Sequence, residues 1–370
     1  MDFDFSDDQE SLRDAVRRWV DKGFEFERRH ALAKAGGATR AVYGELAELG
    51  LAGLVVPEEH GGLAQGAIDA MVVCEELGRG LVNAPYAFAA LMTPRLLAAA
   101  PAALQAEWLP RIAGGEALVV PALQERGARY HLERVATTAH QVVGAWQIDG
   151  SKLVVPAGDE ADAFIVPARL DAARIGLFLV ERNVARVIAY PTQDGARAAD
   201  LTFSAAPARL IVEDGLATLE AAVDAGLAAQ CAEAVGLMDR LVAITVEYMN
   251  TRKQFGATLA SFQALRHRMA DVKMQLELGR SMSYYASLKL GEPAPQRRRA
   301  VSQARVQLGH SMRFVGQQCI QLHGGIGCTD EVAASHYFKR LTMLEMSLGD
   351  TLHHLGEVSA RMQDSAGVFA

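Results

Sequence analysis

Residues 216–256, "LATLEAAVDAGLAAQCAEAVGLMDRLVAITVEYMNTRKQFG", decide the fold. The apolar residues recur at helical spacing, and the whole stretch reads as one continuous helical pattern running out into two cations, a Phe and a Gly. Three more long patterns follow. They are "ASFQALRHRMADVKMQLELGRSMSYYASLKL", "RRRAVSQARVQLGHSMRFVGQQCIQLH" and "SHYFKRLTMLEMSLGDTLHHLGEVSARM". "EPAPQRRR" supplies the loop between the second and third. Four helices of this length with short connections predict an antiparallel four-helix bundle over residues 215–370.

Upstream, the period changes to that of strands. "HQVVGAWQIDGSKLVVPAGDEADAFIVPARL" alternates and carries β-branched residues, with a hairpin signal at Asp149-Gly150. "RIGLFLVERN", "ARVIAYPTQDG" and "ADLTFSAAPARLIV" continue it, which predicts a middle β domain over 117–214, a barrel or sandwich. Residues 1–116 return to helical spacing, with Ser6 as N-cap and Gln9 completing a capping box. The expected class is therefore mostly α with a central β domain, in the order helical domain, β domain, helical bundle.

Composition narrows the function. The chain has 370 residues, half of them apolar, with 37 basic against 44 acidic residues and no basic stripe. Nucleic acid is not an expected partner. No apolar run is long enough for a membrane span, and the acidic start "MDFDFSDDQE" lacks an apolar leader, so a cytoplasmic location is expected. Cys74, Cys231, Cys319 and Cys328 are scattered and read as reduced. His353 and His354 are adjacent and make a poor metal pair, so no metal is expected.

Two motifs carry chemistry. In "RKQFG" (252–256), Arg252 and Phe255 are three apart and are expected to share a helix face. A permanently charged, planar guanidinium suits a diphosphate, and Phe255 offers a surface to a ring or ribose. Spacing alone equally suits two cations complementing a helix C-terminus. In "QLHGGIGCTDE" (321–331), Gly324, Gly325 and Gly327 bare the backbone where a helix ends, beside the hydrogen-bonding Gln321. A glycine-rich C-cap would need one or two of the three.

Taken together, "RKQFGATLASFQALRHRMAD", "QLHGGIGCTDE" and "HYFKRLTMLE" resemble the acyl-CoA dehydrogenase family. "DGSKLVVPAGDEADAFIVPA" and the opening "MDFDFSDDQESLRDAVRRW" resemble it too, so the likeness runs through the whole chain in order. It implies FAD, desaturation of an acyl-CoA thioester, and transfer of electrons to an electron-transfer flavoprotein. It further implies that Arg252, Phe255, Gln321, Gly324 and Gly325, with Gln263 beside them, reach a neighbouring subunit's FAD. Thr258 stands where the family usually has Pro.

The rest of the family pattern fails. The reaction needs a carboxylate base of raised pKa. At the two places where the resemblance puts that Glu, this chain has Leu348 and Gly226. Asp350 and Asp224 lie two residues away, a turn of about 200° on a helix. Asp224 reads as a weak candidate for a relocated base or as a solvated face residue, and Asp350 as a neighbour of the adenine end of FAD. The family's flavin-contacting Thr is Gln124, and its flavin-covering "WIT" has become a segment with Val154 and Pro156.

The half-site lent to a neighbour is therefore kept, and the half built for the chain's own flavin is altered. That asymmetry implies the base-lacking partner in a heteromeric bacterial acyl-CoA dehydrogenase, resembling the small subunit of pimeloyl-CoA dehydrogenase. The assembly would be a homo- or hetero-oligomer, a dimer or tetramer with a sister chain. A self-sufficient homo-oligomeric enzyme with a relocated base, and an FAD-free scaffold or acyl-CoA binding protein, are the alternatives.

Overall fold

The computed structural model describes residues 5–37 and 39–362. Among them, six helices come first: α1 (Asp7–Gly23), α2 (Phe26–Lys34), α3 (Thr39–Glu48), α4 (Ala67–Arg79), α5 (Thr93–Leu97) and α6 (Ala102–Ala113). Seven strands follow: β1 (Val119–Pro121), β2 (Thr138–Val142), β3 (Ala145–Pro156), β4 (Ala163–Arg169), β5 (Ile175–Glu181), β6 (Arg186–Pro191) and β7 (Arg197–Val212). The remainder is α7 (Leu216–Thr251), two short strands β8 (Lys253–Gln254) and β9 (Ala257–Thr258), α8 (Gln263–Leu288), α9 (Ala294–His323), α10 (Ala333–Met346) and α11 (Thr351–Ala360). The expected order of helices, β domain and helical bundle is what the chain adopts. No described helix is long and apolar enough to cross a membrane.

The chain forms two compact units. One takes the described residues of Met1–Arg29, Ala67–Val82 and Leu227–Ala370; the other takes those of His30–Gly66 and Asn83–Gly226.

In the second unit, β5 pairs with β4 on one side and β7 on the other. This closes the path β4–β2–β3–β7–β5 into a barrel, with β1 parallel to β4 and β6 antiparallel to β7. β4 and β5 are each buried at six consecutive residues, so they read as continuous apolar runs rather than alternating ones. The expected turn at Asp149-Gly150 does not form. β3 runs straight through it, and the hairpin turns instead at Val143-Gly144, both with positive φ (50° and 82°). Gly150 sits at a register shift against β7, at φ 148°. A Cβ there would lie 2.7 Å from the Thr137 Cα, so this glycine serves a bulge and a close crossing.

The first unit is the bundle with α1 and α4 against it. Ser6 and Gln9 form the expected capping box, with bonds of 3.2 and 3.1 Å. α7 and α9 run in the same direction and in step. The Arg305 guanidinium meets the Cys231 thiol, the Thr245 hydroxyl meets the Cys319 thiol, and Tyr248 meets His323. The fourth long pattern is not one helix. It breaks at Ser347–Asp350 into α10 and α11.

α4 and α7 touch backbone to backbone. A Cβ on Gly236 would stand 1.8 Å from the Glu75 carbonyl oxygen, and one on Gly78 would stand 2.1 Å from the Glu233 carbonyl oxygen. Gly236→Ala must push the helices apart, and should cost about 2 kcal/mol despite the better helix propensity of Ala. Gly356 in α11 has open space around it. Gly356→Ala should therefore stabilise by up to about 1 kcal/mol. Urea denaturation of the two variants would check the opposite signs.

Candidate functional site

α7 stops at Thr251, so Arg252 and Phe255 do not share a helix face as expected. The chain turns at once into a hairpin, pairing Lys253 with Thr258 and Gln254 with Ala257. Phe255 (φ 53°) and Gly256 (φ 78°) are its two central residues, the pattern of a type I′ turn. An L-residue other than Gly or Asn in that conformation costs about 1–2 kcal/mol. Phe255 is 93 % exposed and makes an edge contact with Phe262 at 6.3 Å. Arg252 is exposed and, among the described residues, its guanidinium makes no ion pair or hydrogen bond. Gln263 opens α8 and is exposed as well.

The glycine motif ends α9. Gly324 is the C-cap at φ 67°, ψ −146°, a conformation only glycine takes readily. Gly324 and Gly325 are exposed, and a Cβ on either would meet nothing within 4 Å. Gly327 differs. It is buried, and its Cβ would lie 2.8 Å from the His323 Cβ and 2.9 Å from the Ile320 carbonyl oxygen. Of the three glycines, two bare the backbone to solvent and the third closes the turn. Gln321 is exposed on the last turn of α9.

Tyr248 brings the two motifs together. Its ring stacks on His323 at 4.6 Å and 21°, and its hydroxyl donates to the His323 carbonyl at 3.3 Å. Tyr248 lies one turn before Arg252, and His323 immediately precedes Gly324. The hairpin and the bare glycine backbone therefore emerge side by side at one end of the bundle. Sequence reading missed Tyr248; its place one helical turn before the first motif was the available signal.

Of the two positions expected to carry the base, Gly226 lies within α7 and Leu348 lies in the break between α10 and α11. Leu348 adopts φ 57° there, and the buried Arg305 holds the loop. One Arg305 nitrogen donates to the carbonyls of Leu344 (2.8 Å), Ser347 (3.1 Å) and Gly349 (3.0 Å). Gln230 donates to the Ser347 hydroxyl at 2.9 Å. Asp350 is the N-cap of α11, its carboxylate accepting from the His353 amide at 2.8 Å. The capping bond fixes the Asp350 carboxylate at the start of α11. Glu345, three residues before Leu348, accepts from the Thr351 amide and hydroxyl at 3.1 and 2.7 Å. Asp224 is 5 % exposed in α7, so it is not the solvated face residue the helical pattern also allowed.

In the barrel unit, Gln124 and the segment after Lys152 are neighbours, with the Leu153 amide donating to the Gln124 carbonyl at 2.8 Å. The buried Glu125–Lys152 ion pair, at 2.5 Å, joins the same two segments. Burial pulls the Lys152 ammonium down to about 8, less far than it would go without Glu125. Burial raises Glu125, but Lys152 and the amide of Ala136 outweigh it and leave that carboxyl below its usual range. Val154 is half exposed at φ 52°, an outlier for a β-branched residue.

Comparison with known proteins decides the family. Residues 6–116 match the acyl-CoA dehydrogenase N-terminal domain, and residues 213–363 match the acyl-CoA dehydrogenase C-terminal domain. Acyl-CoA dehydrogenase IpdE2 of Mycobacterium tuberculosis is 31% identical over 84% of this chain and 83% of its own length. The chain belongs to the acyl-CoA dehydrogenase family. Benzylmalonyl-CoA dehydrogenase of Aromatoleum aromaticum is another relative, 31% identical over 78% of this chain and 80% of its own. Among solved structures, a chain of the ChsE4–ChsE5 complex from Mycobacterium tuberculosis shares the fold. Its TM-score is 0.89 at 24% identity, covering 99% of this chain and 100% of that one. The glutaryl-coenzyme A dehydrogenase glutaryl-CoA complex gives a TM-score of 0.90 at 21% identity, over 98% and 97%.

In this member of the family the α10–α11 loop also governs a proton. His354, 3 % exposed, lies where Gly349 has no side chain, and burial followed by the Arg305 charge holds its pKa at about 2. In the unfolded chain the same imidazole titrates near 6.5. Stability from the neutral folded ring is complete above 6.5 and is lost as pH falls below it, by about 1.4 kcal/mol per unit. Urea midpoints at pH 7.5 and 5.5 should show this loss, and His354→Asn should reduce it by about 1.4 kcal/mol.

Proposed function

We propose that this chain is a subunit of an FAD-dependent acyl-CoA dehydrogenase that completes flavin sites on a sister chain and supplies no base of its own. One observation carries the reading. The Tyr248–His323 contact gathers an uncompensated Arg252, an outward Phe255 and the bare Gly324–Gly325 backbone at one end of the bundle. These groups fit a dinucleotide. The Arg252 guanidinium would meet the diphosphate, the exposed glycine backbone would let it approach closely, and Gln321 and Gln263 would bond its polar edges. Phe255 would lie against a ring or ribose.

Bound FAD would supply the hydride acceptor for α,β-desaturation of an acyl-CoA thioester, with an electron-transfer flavoprotein as the subsequent acceptor in the cytoplasm. This chain's part is to bind and orient. A hydrogen bond to a charged group contributes about 1.5–3 kcal/mol, so losing Arg252 should weaken FAD binding roughly 10- to 150-fold. At the base positions, Leu348 presents an apolar side chain and Gly226 none, so a sister chain must provide the carboxylate. The likeness in fold to a chain of a two-component complex, ChsE4–ChsE5, supports a heteromer of the kind in which small subunits lack the base.

The second reading, a self-sufficient enzyme, draws on the burial of Asp224 two residues from Gly226.

Visible spectra and acyl-CoA reduction of the chain alone, and after co-expression with a sister chain carrying the Glu, separate the two. Flavin and activity appearing only in the pair, with Arg252→Ala lowering FAD content, is the expected result. Flavin reduction by the chain alone, abolished in Asp224→Asn, would establish the second reading instead. Flavin-free protein in every pairing would leave a scaffold.

A further inference from the structure

We infer that Tyr248 and His323 are a positioning pair that sets the spacing between the hairpin and the glycine loop. The inference rests on the flavin-anchor reading of those loops. Neither loop can hold itself. β8 and β9 have two residues each, far short of an independently stable hairpin. The central turn residue Phe255 is strained, and Gly324 and Gly325 have no side chains with which to pack.

What ties the loops down leads back to this pair. The Arg252 amide donates to the Tyr248 carbonyl at 2.8 Å, and the Leu259 amide donates to the Arg252 carbonyl at 2.9 Å, closing the base of the hairpin. On the other side, the Tyr248 hydroxyl donates to the carbonyl of His323, the last residue of α9. The His323 ring is itself fixed at its edge. Its Nδ1 lies 2.9 Å from the Cys319 carbonyl oxygen, which can only accept, so Nδ1 carries the proton. The ring is 5 % exposed and keeps one face flat against Tyr248. Moving Tyr248 therefore moves Arg252, and moving His323 moves Gly324. Neither ring needs to touch the cofactor to decide whether the guanidinium and the bare backbone can engage it together. A displacement of about 1 Å is enough to spoil such a constellation.

The test pairs hydrogen exchange on the purified chain with FAD titration of the FAD-binding assembly. Tyr248→Ala should speed exchange of the Arg252 and Leu259 amides about tenfold or more, with barrel amides such as Phe178 unchanged. It should also weaken FAD binding about tenfold or more, whereas Tyr248→Phe, which keeps the stack, should stay within about threefold of wild type. His323→Ala should match Tyr248→Ala, His323→Phe should recover most of the loss, and the double alanine variant should be no worse than either single one.

Unchanged exchange at Arg252 and Leu259 in Tyr248→Ala would overturn the positioning pair, as would additive losses in the double variant. Arg252→Ala tells the two ideas apart. If it abolishes FAD binding while Tyr248→Ala changes neither readout, the anchor stands and the pair falls. If Tyr248→Ala loosens the hairpin as expected but Arg252→Ala leaves FAD binding intact, the pair stands and the flavin anchor falls.

Discussion

A guanidinium that is 2 % exposed inside a helical bundle must spend its donors, because a buried charge with nothing to bond costs several kcal/mol. One Arg305 nitrogen donates to the carbonyls of Leu344, Ser347 and Gly349, and the guanidinium also meets the Cys231 thiol; an unbroken helix would keep those carbonyls engaged in its own ladder. The break at Ser347–Asp350 supplies them, so the cation and the interruption of the fourth helix require each other. Several features follow from that exchange. Leu348 is held at positive φ, His354 fills the space left by Gly349, and Asp350 must start a new helix as its N-cap. Burial, with the Arg305 charge adding to it, keeps the His354 ring neutral far below its ordinary pKa.

Arg252 is the opposite case on the same unit. It stands in solvent with no protein partner among the described residues, where a single charge is stable and remains available to an anion. The two arginines differ in that one has a nitrogen hydrogen-bonded to backbone carbonyls inside the bundle and the other stands open to solvent. The link between the two regions is the parallel, in-step packing of α7 and α9. Contacts at Cys231–Arg305, Thr245–Cys319 and Tyr248–His323 make both helices finish together.

Much of the architecture was legible in the chain itself. Long apolar periodicity predicted the bundle helices, alternation predicted the strands, and Ser6 with Gln9 marked the first helix start. Two of the three misreadings share a cause, a turn decided by a partner distant in sequence; the third is a local hairpin with an unusual residue at its centre. Asp149-Gly150 is a strong local hairpin signal, yet β3 continues through it because β7 pairs on both sides and Thr137 needs the bare Gly150 Cα. The helical pattern around "TRKQFG" gave no sign of the hairpin, since Phe is a poor residue for a left-handed position. Nothing local to "EMSLGD" announces a buried arginine some forty residues upstream.

Helices, barrel strands and the residue types of the two motifs were determined by the sequence alone, because periodic burial and the chemistry of Arg, Gln and Gly are local properties. The tertiary structure decided which of those residues lie at the same end of the bundle. The segments that carry Gly325 and Arg252 are joined by a stacked pair from two helices. Gly327 and Asp350 turn out to serve the turn and the cap they sit in, and Asp224 is buried rather than solvated. Gly327 and Asp350 are decided by neighbours within a turn or two, whereas the approach of the hairpin to the glycine loop depends on contacts between segments far apart in the chain, where geometry selects among roles that local pattern leaves equal.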